Sequence, residues 1–288
     1  MLPITHILFP IDFSERSMAA APFVEAMAKR FGAKVTMLSV APPVTYGGMA
    51  EPGAEYYIQP EEQRADLQKR LDSTLVRELA GVPLTRVAEV GDPATAITEH
   101  AHSHGVDLIM MPTHGYGPFR RLLLGSVTAK VLHDAHCPVW TGAHIDEPPA
   151  QGHIAPKNVL CAVDDSANTA PLIQWAAQLS RDTGASLRLI HVVPGAEAWP
   201  ERQFNRELEQ VLQDRAREEI TKVQNTAGVE ASLCIGVGDV AEAVREEARR
   251  HNADLIVIGR GVIHEKLGRL RTHAHSIIRQ APCPVISV

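Results

Sequence analysis

One stretch of the sequence combines residue types suited to holding an anion. It runs Met111-Pro112-Thr113-His114-Gly115-Tyr116-Gly117-Pro118-Phe119-Arg120-Arg121, followed by three leucines and Gly125-Ser126. The glycines permit close backbone approach to a ligand, two arginines add positive charge, and Gly125-Ser126 opens a helical pattern. The first turn of a helix carries unpaired N–H groups and the positive end of the macrodipole, so phosphate is the natural anion there. The stretch is neither a Walker A motif nor a dinucleotide fingerprint, which would follow the first strand. Read locally, it also suits a plain tight turn, with Ser126 as an ordinary N-cap. His114 could serve as an acid or base. Elsewhere, His100 and His104 share a helix face four residues apart, but no third metal ligand follows at a suitable spacing; with His102 they read as a solvated helix end. Cys137 and Cys283 each precede a proline and read as small apolar residues rather than reactive thiols, and His273 and His275 read as surface residues.

The elements that would position these residues occur twice. His6-Ile7-Leu8-Phe9-Pro10-Ile11-Asp12-Phe13-Ser14 returns as Asn158-Val159-Leu160-Cys161-Ala162-Val163-Asp164-Asp165-Ser166. Gly32-Ala33 returns as Gly184-Ala185, Gly91-Asp92 as Gly238-Asp239, and Cys137-Pro138-Val139 as Cys283-Pro284-Val285. Four blocks in one order indicate a duplication. Pro, Gly and an absence of periodicity mark residues 143–156 as a linker, which gives domains over 1–142 and 157–288. In the first copy, apolar runs predict strands over 7–11, 34–40, 84–90, 108–111 and 139–141. Helical periodicity predicts helices from the Ser14 cap to Arg30 and over 61–80, 93–104 and 126–135, with a Pro/Gly-rich loop over 41–60. Near-continuously apolar strands separated by helices imply a parallel sheet covered on both faces. The fold class is α/β: two tandem, doubly wound, five-stranded, Rossmann-like domains. In such sheets ligands bind outside the carboxyl ends of the strands, where strand order reverses.

The 288 residues are 45% apolar and 22% charged, with 28 basic against 34 acidic side chains and a net charge of -6. This balance argues against a protein whose main task is to coat nucleic acid or an anionic membrane. No apolar run approaches a membrane span, no export signal is visible, and four cysteines without a C-x-x-C pair suggest no disulfide framework. A reducing cytoplasm is the expected location. There is no G-x-S-x-G elbow and no S-G-G-x-D-S pyrophosphatase loop.

Over nearly its whole length the chain resembles the universal stress protein (UspA) family in its tandem two-domain form. Nucleotide-binding members of that family carry G-x-x-G, nine residues, then G-[ST] after the fourth strand, and an Asp ending the first. Here Asp12, Gly115, Gly125 and Ser126 match, and the surrounding L-L-L-G-S-V-T-A-K-V-L and C-P-V strengthen the resemblance. It implies an adenine-nucleotide alpha-hydrolase-like fold binding ATP, with Mg²⁺. Asp12 would lie by the nucleoside, Val40 and Met111 would line the adenine and ribose pocket, and Gly115, Gly125 and Ser126 would hold the phosphates. Pro10, Ile11, Pro112, His114 and Val127 would lie around them. As alternatives, Asp12 is a helix-side cap and Val40 and Met111 are plain core. One departure is Pro112, which stands where the first family glycine would be and has no N–H to donate. In copy two, Asp164 and Thr272 keep their positions, Gly259 and Gly261 are one residue too close together, and Arg271 replaces the glycine, so that site is altered or lost. The resemblance implies a stress-response regulator working through nucleotide-dependent conformation or partner binding. A slow ATPase and a nucleotide-free dimerisation module are the alternatives, and no catalytic residue is assigned. The last strands, 139–141 and 285–288, are expected to pair into an intramolecular pseudo-dimer. A homo-oligomer and a protein partner remain open.

Overall fold

The computed structural model describes residues 1–43, 45–47, 55–57, 59–113, 124–142, 155–195, 206–260 and 270–288. The first copy runs β1 (His6–Pro10), α1 (Glu15–Ala19), α2 (Ala21–Phe31), β2 (Lys34–Ala41), β3 (Thr45–Gly47), β4 (Glu55–Tyr57), α3 (Pro60–Asp72), β5 (Leu84–Val90), α4 (Pro93–Ser103), β6 (Leu108–Pro112), α5 (Ser126–Asp134) and β7 (Val139–Gly142). The second runs β8 (Asn158–Ala162), α6 (Thr169–Thr183), β9 (Ser186–Val193), α7 (Arg206–Ala227), β10 (Ser232–Val237), α8 (Val240–Arg250), β11 (Leu255–Ile258), α9 (Leu270–Gln280) and β12 (Val285–Ser287).

Ten strands form one sheet in the order β10-β9-β8-β11-β12-β7-β6-β1-β2-β5. Each copy contributes five mutually parallel strands, and the halves meet where β12 runs antiparallel to β7 with Ile286 opposite Trp140. Thr141 Oγ1 donates to the Val285 carbonyl at 3.1 Å across this seam. The last strands therefore pair within one chain, as the sequence led us to expect. The central strands are buried along their length, β1 and β6 at every residue, because helices cover both faces.

The repeated glycines and aspartates act as punctuation for the helices. Gly32 (φ +67°) and Gly184 (φ +76°) end α2 and α6 in the left-handed conformation, which costs glycine no Cβ clash. Asp92 and Asp239 cap α4 and α8, accepting the amides of Thr95 and Glu242. Three expectations need correction. The helix from Ser14 to Arg30 is two helices joined at Ala20, because Pro22 has no N–H for the Met18 carbonyl and its ring crowds that group. The helix expected to reach residue 80 stops at Asp72; the Ser73 and Thr74 hydroxyls both donate to the Arg70 carbonyl and compete with the helical ladder. The loop over 41–60 contains the antiparallel pair β3 and β4.

Candidate functional site

In each half, strand order reverses beside the first strand: β1 lies between β2 and β6, and β8 between β9 and β11. The crevices outside these carboxyl ends take the segments that follow β1 and β6, and their counterparts in copy two.

In copy one the Ile11 amide continues the sheet to the Leu38 carbonyl at 2.8 Å, and the chain then turns. Exposed Asp12 accepts the Ser14 amide through Oδ1 at 3.0 Å. Ser14 in turn caps α1 by accepting the Ser17 amide at 3.2 Å. Between them Phe13 has φ +61°, a conformation that costs a bulky residue about 1–3 kcal/mol and persists only when its surroundings enforce it. The Arg70 guanidinium sits 3.9 Å from its ring centroid, a cation–π contact. The sequence offered no signal for this strained aromatic beside the candidate carboxylate.

Met111 is buried in an apolar cluster with Leu8, Ile109 and Val131, and Val40 and Val127 pack against the same cluster. Val40, Met111 and Val127 thus belong to the apolar layer on one face of the sheet, while Pro10 and Ile11 form the buried end of β1 and its exit. At the end of β6, the carbonyl of buried Pro112 accepts the Thr128 hydroxyl at 3.2 Å, and the carbonyl of Thr113 accepts the Gly125 amide at 3.0 Å. These two bonds seat the start of α5 on the end of β6. The N-cap is Gly125, with φ -59° and ψ 143°, and no side chain caps the helix among the described residues. The reading of Ser126 as N-cap is therefore overturned; it is the exposed first residue of α5. The amides of Ser126, Val127 and Thr128 belong to the first helical turn, which has no intrahelical acceptors. His114 and Gly115 lie outside the described residues.

In copy two the structure describes a cleft of about 580 Å³ whose walls include Asp164, Trp175, His191, Arg260 and His273. Asp164 is half-buried and accepts the Ser166 amide at 3.1 Å and the hydroxyls of Ser166 and Thr169 at 2.7 and 2.8 Å. Burial pushes its pKa up, but these hydrogen bonds outweigh burial and hold the carboxyl below its usual range. His191 donates through Nδ1 to the Val163 carbonyl at 3.0 Å, since a carbonyl can only accept. Gly259 also lines the cleft, yet a Cβ there would meet Leu172 at an ordinary 3.5 Å. Helix α9 spans Leu270–Gln280, so the backbones of Arg271 and Thr272, which align with Gly125 and Ser126, are helical. Gly261 lies outside the described residues.

Of the three histidines at the end of α4, His102 and His104 are exposed as expected, but His100 is not. His100 is buried, 3.0 Å from Glu89 through Nδ1 and stacked on His104 with centroids 4.0 Å apart. Its helix face packs inward, so it is not solvated. No group of three metal-ligating side chains occurs among the described residues. Burial raises the Cys137 thiol and pushes Cys283 up to about 12, in keeping with packed, unreactive roles. His273 and His275 are exposed. No described helix is long and apolar enough to cross a membrane.

The model of the universal stress protein family matches residues 3–141 and again 156–288. A universal stress protein of Methanocaldococcus jannaschii is 34% identical over 139 residues, 46% of this chain and 78% of its own length. One from Thermus aquaticus is 34% identical over 134 residues, 46% of this chain and 94% of its own. Each is similar to about half of the present chain. Among solved structures, a universal stress protein from Archaeoglobus fulgidus shares the fold over 99% of this chain and 98% of its own, with a TM-score of 0.71 and 22% identity. Two family matches in succession, on a ten-stranded sheet divided into equivalent halves, establish that this chain belongs to the universal stress protein family and carries its domain twice.

Proposed function

We propose that the domain over 1–142 binds ATP, with Mg²⁺, in the crevice outside β1 and β6, and that the protein is a cytoplasmic stress-response regulator. Nucleotide occupancy would set its conformation or its affinity for a protein partner. The observation that carries this reading is the meeting, at one strand-order reversal, of three chemistries a nucleotide needs. Asp12 offers an exposed carboxylate on a fixed turn. Val40, Met111 and Val127 offer an apolar surface for a base. The first turn of α5, opened by Gly125, offers amides without intrahelical acceptors and the positive end of a helix dipole to phosphate. Ser126 is exposed at that opening, and its hydroxyl suits either a phosphate oxygen or a magnesium ion that otherwise keeps its waters and phosphate ligands.

The domain over 157–288, beyond a linker over 143–156, retains Asp164, with its carboxylate engaged by three protein donors. In it Arg271 stands where copy one has Gly125, and its backbone already belongs to helix α9, so we assign the tighter site to copy one. Denaturing the purified protein and identifying the released small molecules by mass spectrometry tests the proposal. Adenine nucleotide in near-equimolar amount supports it; nucleotide-free protein that also fails to take up added ATP refutes it.

A further inference from the structure

Arg260 follows β11 and belongs to copy two by its backbone, whose amide donates to the Val288 carbonyl at 3.1 Å. Its side chain, which lines the copy-two cleft, reaches into the other copy. Nη1 donates to the Ala135 carbonyl at 2.6 Å and Nη2 to the Cys137 carbonyl at 2.8 Å. Ala135 is the C-cap of α5, where a cation complements the helix dipole, and Cys137 lies in the turn from α5 to β7. The opposite end of α5 carries Gly125 and Ser126. In the aligned strands β6 and β11, the position of Arg260 is held in copy one by Thr113, whose hydroxyl donates to Gly142 of its own copy at 3.3 Å.

We propose that Arg260 is a positioning residue for the nucleotide site of copy one: copy two grips α5 by its C-terminal end and thereby fixes where the first turn stands at the end of β6. A helix of nine residues is too short to persist without tertiary anchors. Its N-terminal anchors are the Gly125 and Thr128 bonds to β6, and Arg260 supplies two charge-assisted bonds at the other end. The ligand-binding half of this proposal rests on the nucleotide reading above; the latch itself rests on the geometry.

The test compares the full chain with Arg260→Lys and Arg260→Gln by hydrogen exchange without ligand and by calorimetry with ATP and Mg²⁺. In Arg260→Gln the amides of Val131, Leu132 and Ala135 should exchange about ten- to a hundredfold faster, the effect of losing hydrogen bonds to a charged group. Amides of β1 should keep their protection, and ATP affinity should fall several-fold. Arg260→Lys, which keeps the charge but not the fork, should fall between wild type and Arg260→Gln on both readouts, and it carries the test if the glutamine variant does not fold. Unchanged exchange in α5 would overturn the latch. A loosened α5 with unchanged ATP affinity would overturn the positioning role. A wild type that binds no ATP would defeat the nucleotide reading and this role together, while exchange would still decide the latch.

Discussion

The amide of Gly125 donates to the carbonyl of Thr113 at 3.0 Å, joining the exit of β6 to the entrance of α5. One glycine N–H is thereby committed to the scaffold, which leaves the following amides of the first turn for a ligand. Because Gly125 has φ -59°, a conformation open to every L-residue, glycine is not needed there to relieve strain. What glycine provides is the lack of a side chain where a phosphate would approach.

Gly125→Ala separates these two roles. With φ already permissive, alanine gains about 0.4–1 kcal/mol by restricting the unfolded chain, but it is a poorer N-cap than glycine by a similar amount. The stability of the free protein should therefore change by less than about 1 kcal/mol, while the methyl group weakens nucleotide binding. Urea unfolding together with ATP titration checks both. A larger loss of stability would mean that the site is more crowded than its backbone angle implies.

At Gly32 the reverse holds. A Cβ there would meet nothing within 4 Å, but φ is +67°, so Gly32→Ala should cost about 1–2 kcal/mol purely through the left-handed conformation. Chemical denaturation should show a lower midpoint with an unchanged slope.

Nucleotide binding should appear as added stability. At 100 times its dissociation constant, a ligand binding only the folded protein stabilises by about 2.7 kcal/mol. For a chain of this size that raises the melting temperature by several degrees, at about 2–4 °C per kcal/mol. A thermal scan with millimolar ATP and Mg²⁺ measures it, and an unmoved curve would favour a nucleotide-free interaction module.

His6 should make folding sensitive to mild acid. Its ring is buried between the Thr36 hydroxyl, 2.8 Å from Nε2, and the His104 carbonyl, 3.2 Å from Nδ1. Burial, with help from nearby Lys34 and His100, lowers its pKa below the ordinary value of 6.5. The unfolded chain therefore takes up the proton first. Stability should be intact above pH 6.5 and decline as pH falls from there toward the folded value. In His6→Gln the loss of stability between pH 7.5 and 5.5 should be smaller than in wild type, whatever the variant's absolute stability.

The strands were legible because a strand buried on both faces is written as an unbroken apolar run, as in Ile7-Leu8-Phe9 and Leu108-Ile109-Met110. The Ser14 cap was legible because its hydroxyl performs local chemistry. The duplication, together with the family resemblance, made the seam between β7 and β12 foreseeable. What could not be read depends on distant partners. His100 is drawn inward by Glu89, whereas Glu247, at the equivalent position of copy two, is buried with Arg188, Arg250 and His251 around it. The pairings of His100 with Glu89 and of Glu247 with Arg188 join separate elements and leave no pattern in the sequence. Phe13 gave no warning of its left-handed backbone, and the reach of Arg260 across 125 residues to Ala135 is a product of the assembled sheet.

The most direct test of the central claim, a single nucleotide site in copy one, is titration calorimetry of ATP with Mg²⁺ into wild type, Gly125→Arg and Arg271→Gly. The account predicts close to one tight site per chain in wild type, its loss in Gly125→Arg, and at most a weak second site in Arg271→Gly. Two equal sites in wild type, or a Gly125→Arg protein that binds as tightly as its parent, would contradict it.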